Sequence, residues 1–126
     1  MKKYRVPLML INAFLLTGCS QSTSGQGAFL AQPQQVEQLA TLVASSDFLR
    51  DNCQRSDIPA SRKLITAALS QAKSKGWVLS RQAEQQIPTR AQRILADLAQ
   101  DGTPRTEKCA YFNQHLAPFI ELARRQ

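Results

Sequence analysis

The side chains with the most chemical potential in this 126-residue chain are its three cysteines, Cys19, Cys53 and Cys109, because other reactive groups are scarce. The one histidine, His115, precedes the apolar Leu116, which is typical of a residue at the edge of a core rather than of a general acid or base. The sequence has no glycine-rich phosphate loop and offers no nucleophile with a matching base, so it predicts that the protein is not an enzyme. A metal would need two or three ligands at helical spacing, and with two cysteines bridged none qualifies. We therefore expect neither a metal nor another cofactor.

Residues 1–19 have the pattern of a bacterial export signal that ends at a cysteine. Three cations precede an apolar run over residues 6–16, which is too short for a membrane-spanning helix of about 20 residues. The next residues complete Leu16-Thr17-Gly18-Cys19, which resembles a lipobox, the signal for bacterial lipoprotein processing. The sequence predicts a signal peptide over residues 1–18 and lipidation of Cys19. A permanent anchor helix is the alternative, and a proline and an asparagine in the run disfavour it.

Removal of the signal peptide changes the net charge and defines the compartment. The whole chain has 16 Lys and Arg against 9 Asp and Glu, a net charge of +7, but cleavage removes three cations and leaves +4. Position 20 is Ser and not Asp, which by resemblance to enterobacterial lipoproteins predicts a lipid anchor in the outer membrane. Acyl chains would hold the protein to the membrane, with its domain in the periplasm. This compartment excludes nucleic acid as a partner.

Lipidation of Cys19 leaves Cys53 and Cys109 as an even pair in an oxidising compartment. We expect these two residues to form a disulfide, with two free, buried thiols as the alternative. The bridge would close a loop of 56 residues. In the chain-entropy model such a loop stabilises a protein by about 4 kcal/mol, a large share of the stability of a small domain.

The mature chain is predicted to be a linker followed by an all-α domain. Residues 19–35 contain the lipidated cysteine and a flexible linker rich in Ser, Gln and Gly, and residues 36–126 form the domain. The apolar spacing predicts four helices, from about Pro33 to Cys53, Ala60 to Lys75, Ser80 to Gln100, and Thr103 onward. Short loops predict a compact four-helix bundle. A disulfide between helices 1 and 4 would require those two helices to pack together.

Glycine and proline residues predict how these helices end and bend. Gly76 is expected to end helix 2 in the left-handed conformation, with Trp77 folding back as the hydrophobic contact of a Schellman motif. Gly102 is expected to close helix 3 in the same way. Pro88 should kink helix 3 or split it, and Pro118 should bend the last turns of helix 4.

Helices 1 and 3 are the candidates for a partner-binding surface. The apolar arc of helix 1 is wider than a coiled-coil seam, and small alanines on both helices leave room for a groove. An amphipathic partner helix would lie in it with its apolar face inward. The candidate groove residues are the apolar side chains of the two helices that could face each other, namely Leu39, Leu42, Val43, Ile94 and Leu98. The alternative is that these residues only complete the core.

Several short motifs occur together at defined spacing along residues 36–122. They are Leu49-Arg50-Asp51-Asn52-Cys53, Arg55-Ser56-Asp57-Ile58-Pro59-Ala60, Gly76-Trp77, Lys108-Cys109-x-x-Phe112-Asn113 and Leu116-Ala117-Pro118-Phe119-Ile120. Together they resemble the PulS/OutS-type pilotins of bacterial type II secretion systems, and the lipobox belongs to the same pattern. Pro88 departs from what the family leads us to expect.

The resemblance implies a four-helix fold with a disulfide joining helices 1 and 4, and a groove that binds the disordered C-terminal S-domain of the secretin subunit. That segment would fold into a helix on binding. The resemblance also implies that the protein protects the secretin and carries it, with the lipoprotein-sorting machinery, to the outer membrane for assembly. A second hypothesis is an envelope lipoprotein that inhibits or modulates a periplasmic hydrolase. Such a protein would usually present a protruding polar loop, and the longest predicted non-helical stretch here is the linker.

Overall fold

A computed structural model describes residues 31–126, and the predicted signal peptide, Cys19 and most of the predicted linker lie outside this range. The described residues form five α-helices and no strand. The helices are α1 (Gln32–Asn52), α2 (Ser61–Ser74), α3 (Arg81–Gln100), α4 (Arg105–His115) and α5 (Ala117–Arg124). The all-α prediction is confirmed, but the number of helices differs from the predicted four. Helix α1 also begins at Gln32, so the last residues of the segment 19–35 are helical.

Helix α1 is the central element of the domain, since it packs against α2, α3 and α4. Every residue from Val43 to Leu49 is buried, including two serines and Asp47. This explains the wide apolar arc of the helix and the position of Phe48 on the face opposite Leu39. Phe48 is 2% exposed and its ring contacts that of Phe112 edge-on, with centroids 5.9 Å apart.

Contacts at both ends of α1 define the helix directions. At its start, the Gln32 side chain lies beside the backbone of Ser80, and one turn later Glu37 pairs with Arg90. Helices α1 and α3 therefore run parallel. Near its end, the carboxylate of Asp47 accepts a hydrogen bond of 2.8 Å from Ser61, the first residue of α2. Helices α1 and α2 are thus antiparallel neighbours, as short loops predict.

The turn that ends α2 confirms the Schellman motif. Gly76 has a φ of +75°, its N–H donates to the Lys73 carbonyl at 2.9 Å, and the Trp77 N–H donates to the Ala72 carbonyl at 2.9 Å. Trp77 is 6% exposed and joins the core. The hydroxyl of Ser80 then caps α3 by accepting a hydrogen bond of 3.1 Å from the Ala83 N–H, as predicted.

The end of α3 differs from the prediction, because Gly102 does not adopt the left-handed conformation. The Asp101 carboxylate instead accepts hydrogen bonds from the N–H and hydroxyl of Thr103 at 3.0 and 3.1 Å. The Thr103 N–H, with its hydroxyl, lowers the pKa of Asp101 below its usual value. The buried Lys108 ammonium donates to the Leu98 and Asp101 carbonyls at 2.6 and 3.2 Å. The Lys108 ammonium therefore satisfies carbonyl groups at the C-terminal end of α3, so a left-handed glycine is not needed to cap this helix.

The two helix-interior prolines have different effects. Pro88 lies inside α3, which continues through it from Arg81 to Gln100, so the helix is not split. Pro88 is on an exposed face, where water can bond to the carbonyl that its missing N–H leaves free. In contrast, the predicted fourth helix is interrupted at Leu116, two residues before Pro118, and this interruption separates α4 from α5. The ring of Pro118 clashes with helical backbone one turn earlier, so the chain begins a new helix rather than only bending.

Candidate functional site: the groove between helices α1 and α3

A groove of about 620 Å³ lies between the first turns of α1 and the N-terminal half of α3. We call it the α1–α3 groove. It is lined by Pro33, Val36, Glu37, Gln82, Gln85, Gln86, Thr89, Arg90 and Arg93. A recess of about 200 Å³ continues it toward Gln32, Ser80 and Ala83. The groove lies between the two helices predicted as candidates, but seven of its nine lining residues are polar.

Two stripes on α3 explain this arrangement. One face of α3 packs against α1 and the core through three buried residues, Ala83, Ile87 and Ala91. The groove wall is an adjacent stripe, made of residues 82, 85, 86, 89, 90 and 93. These positions follow the i, i+3, i+4, i+7 spacing of one helical face. On α1, Val36 is only 5% exposed and belongs to the core, so it lies at the floor of the groove.

An ion pair links the two helices within the groove. Arg90 donates to both carboxylate oxygens of Glu37, with Nε–Oε2 and Nη2–Oε1 distances of 2.5 and 3.0 Å. This hydrogen bonding lowers the pKa of Glu37 and raises the pKa of Arg90. Both side chains are nearly half exposed, so the pair contributes more to the position of the groove walls than to stability. Arg93, one turn further along, is exposed and has no ion-pair partner among residues 31–126.

The five predicted groove residues do not lie together on this surface. Leu39 and Val43 are each 1% exposed and belong to the core between the helices. Leu42 and Ile94 are partly buried against that core. Leu98 lines a separate cavity of about 350 Å³ near the start of α4. The apolar side chains of α1 and α3 pack directly against each other in the core. Most of the residues that line the open groove are therefore polar.

The Arg-Ser-Asp motif lies away from the groove and fastens the α1–α2 loop to the last two helices. Arg55 forms two hydrogen bonds with the carboxylate of Asp57, at 2.8 and 2.9 Å, and a third with Asn113 of α4. Asp57 also pairs with Arg124 of α5. The left-handed Gln54, with a φ of +57°, turns the chain out of α1 just before this cluster. These motif residues therefore have a structural role.

The predicted disulfide is present and braces the same region. Cys53, directly after α1, is bonded to Cys109 in α4, with their Cα atoms 5.7 Å apart. This distance is the usual one for a disulfide. The bridge holds the end of the central helix against α4, while the α1–α3 groove opens at the opposite end of α1.

In residues 31–126, no group of three His, Cys, Asp or Glu side chains is arranged to hold a metal ion. None of the helices described is both long enough and apolar enough to cross a membrane.

Comparison with known proteins places the chain among secretion pilotins. Residues 16–121 match the family model of the type II secretion system pilotin lipoprotein, PulS_OutS. The chain is 37% identical over 120 residues to the pullulanase secretion protein PulS of Klebsiella pneumoniae, covering 94% of this chain and 92% of PulS. It is 35% identical over 103 residues to pilotin OutS of Dickeya dadantii (strain 3937), covering 82% of this chain and 76% of OutS.

A solved structure described as a pilotin/secretin peptide complex is similar to this fold. Its TM-score is 0.71 at 36% identity, over 75% of this chain and 98% of the solved chain. The match to the family model includes both cysteines of the Cys53–Cys109 bridge and nearly all of the helical domain. This chain belongs to the type II secretion system pilotin lipoprotein family.

Proposed function

We propose that this chain is a pilotin that binds a C-terminal segment of a type II secretin as a helix in the α1–α3 groove. The observation that carries the proposal is the open groove between two parallel helices in a fold similar to that of a pilotin solved with a secretin peptide. Family membership favours this adaptor role over modulation of a periplasmic hydrolase. An adaptor acts by binding, so the proposal includes no catalytic step.

The lining of the groove indicates which partner surface it would accept. Pro33 and Val36 would contact apolar side chains of the incoming helix, while the glutamines of α3 would supply hydrogen bonds along its flank. Arg93 would pair with an acidic residue of the partner, because Arg90 is already engaged by Glu37. Ordering a disordered segment costs about 2 to 5 kcal/mol, so we expect moderate affinity and the possibility of release.

A steric block of the groove tests this proposal. Thr89 is exposed on the groove wall, so Thr89→Trp should fill the space that the partner helix needs. The expected result is a loss of affinity for a secretin C-terminal peptide of roughly tenfold or more, equivalent to about 1.4 kcal/mol. The matched control is Thr66→Trp, the same change at an exposed position of α2 outside the groove.

Both variants should retain the helical circular dichroism of the wild type. Fluorescence anisotropy of a labelled peptide measures the affinities. Equal binding by Thr89→Trp and wild type would exclude this groove as the docking site. Equal weakening by both variants would mean that the tryptophan acts through the fold and not through the groove.

We infer that the groove is delivered to the outer membrane by a lipid anchor. Cleavage after Gly18 would leave Cys19 as the acylated first residue, and the segment over residues 19–35 would join it to the domain. A secretin held in this way would be protected from proteolysis and escorted by the lipoprotein-sorting machinery until it assembles.

Membrane fractionation of cells that express the variants tests the anchor. Cys19→Ala should leave the protein unlipidated and absent from the outer-membrane fraction, and secretin levels should fall. Ser20→Asp should retain the protein in the inner membrane, because the residue after the lipidated cysteine is the proposed sorting signal. Recovery of Ser20→Asp in the outer membrane would refute the sorting assignment.

A further inference from the structure

The start of α1 and the α2–α3 loop lie together at one end of the domain. The Ser80 N–H in the α2–α3 loop lies 3.4 Å from the Gln32 side-chain oxygen, so this loop sits beside the start of α1. Cys19 is 12 residues before Ala31. Twelve residues can span at most about 43 Å, which keeps this end of the domain close to the proposed anchor.

The α2–α3 loop exposes an apolar side chain at this end. Val78 is 85% exposed, and among the residues that the structure describes only Tyr111 is another exposed large apolar side chain. The Schellman turn produces this arrangement, because it directs Trp77 into the core and leaves the next residue facing outward. Burial within the domain does not account for a valine at this position.

Three cations lie within five residues of this valine along the chain. Lys73, Lys75 and Arg81 are exposed, and no ion pair with an acidic side chain is found for any of them within residues 31–126. The Lys75 ammonium lies 4.8 Å from the centre of the Trp77 ring. One acid, Glu84, shares a shallow recess with Lys73 and Val78. The surface therefore has an excess of positive charge around an exposed apolar side chain.

We propose that this surface, defined by Lys73, Lys75, Val78 and Arg81, rests on the membrane that holds the lipid anchor. Its cations would contact the phosphate groups of lipid headgroups, and Val78 would enter the interface. The proposal rests on the proposed lipidation of Cys19. It is carried by the position of the surface at the end where the anchor enters, by its charge and by its exposed valine.

Docking in this way would orient the binding site. Helices α1 and α3 both begin at this end and run parallel. Both helices would then point away from the bilayer, and the α1–α3 groove would open sideways along the membrane surface. A secretin segment held in the groove would then lie alongside the membrane surface where the secretin assembles.

The single tryptophan provides the test, because Trp77 is next to Val78. The lipidated mature protein is reconstituted into phosphatidylcholine vesicles with or without a quarter of phosphatidylglycerol. Both kinds of vesicle contain a phosphatidylcholine with a nitroxide on its headgroup. Quenching is expressed relative to the same protein in vesicles without nitroxide, which corrects for changes in intrinsic fluorescence. We expect stronger quenching in anionic vesicles and its loss at 1 M salt, where the Debye length is about 3 Å.

Two triple variants, each of which loses three positive charges, distinguish an effect of this surface from an effect of the overall net charge. The test variant is Lys73→Gln, Lys75→Gln and Arg81→Gln. The control is Arg62→Gln, Lys63→Gln and Arg105→Gln, three exposed cations at the starts of α2 and α4. Each cation near an anionic membrane contributes about a fivefold effect, so the test variant should reduce the ratio of docked to undocked protein by up to roughly 100-fold.

Each outcome decides the proposal. Quenching that is lost in the test variant and retained in the control supports it. Equal quenching of both variants, or no dependence on anionic lipid, overturns it while leaving the anchor and the groove untouched. Failure of the mature protein to stay with vesicles would instead refute the anchor. Peptide binding by the same preparation tests the groove independently.

Discussion

Removing the Cys53–Cys109 bridge should destabilise the domain by an amount that the structure allows us to calculate. The bridge closes a loop of 56 residues that contains all of α2 and α3. The chain-entropy relation gives about 14 cal/mol/K for this length, or about 4 kcal/mol at 25 °C. Domains of this size have a free energy of unfolding of about 5 to 15 kcal/mol, so the double variant Cys53→Ser and Cys109→Ser should lose a large fraction of its stability.

Urea unfolding followed by circular dichroism measures this loss. With a slope of about 1 to 2 kcal/mol/M, a change of about 4 kcal/mol moves the midpoint by roughly 2 to 4 M. The slope should also increase, because the unbridged denatured chain is more expanded. Wild-type protein in excess reductant is the control, and its midpoint should match that of the serine variant.

A loss below about 1 kcal/mol would refute the reasoning, because it would mean that other contacts already hold α4 on α1 in the denatured ensemble. A large loss in the serine variant that reduction of the wild type does not reproduce would also refute it. In that case the serines themselves would disturb the fold, and loop closure would not be the cause.

Three further predictions follow from other contacts. Val43→Asp should cost more than about 4 kcal/mol in thermal or urea unfolding, because it places a charge at a site that is 1% exposed. Glu37→Gln should cause only a small, salt-sensitive loss at neutral pH, since its ion pair with Arg90 is largely exposed. The pKa of Glu37 is lowered in the folded state. The Glu37 carboxylate therefore stabilises the fold at pH values above the pKa of the unfolded chain, and this stabilisation disappears as the pH falls through the lower folded pKa. The difference in unfolding free energy between the variant and the wild type, measured at several pH values, should vanish in acid. Lys108→Met should cost about 1 to 3 kcal/mol by the same measurement, because it leaves the Leu98 carbonyl at the end of α3 without its ammonium donor.

Local signals in the sequence predicted much of the fold because each acts through neighbouring residues. The Gly76-Trp77 pair specifies its turn through backbone conformation and one hydrophobic contact. Ser80 specifies the start of α3 through a hydrogen bond three residues along the chain. In contrast, the end of α3 depends on Lys108 in a later helix, and this long-range contact is not visible in local sequence. The break at Leu116 is intermediate, because Pro118 indicated a bend but not its size.

The groove was harder to predict because periodicity identifies buried faces more readily than binding faces. Leu39 and Val43 have the spacing of an apolar contact surface, and the domain uses them for its own core. The wall of the α1–α3 groove also has helical spacing, but its glutamines, threonine and arginines resemble an ordinary solvated face. Only the arrangement of α3 beside α1 shows that this polar stripe lines a concave surface.

The motifs that carry the family resemblance lie in the scaffold rather than in the proposed binding surface. The two bridged cysteines hold α4 on α1, and Arg55 and Asp57 fasten the α1–α2 loop to α4 and α5. Each of these contacts needs a particular side chain at a particular spacing, because both partners belong to the same chain. Apart from the Arg90–Glu37 pair, the residues of the groove wall would meet their complementary surface on the secretin. Differences in partner choice among pilotins should therefore map to the groove-facing positions of α3, and exchanging those residues between two pilotins should exchange their peptide preference while leaving the free energy of unfolding nearly unchanged.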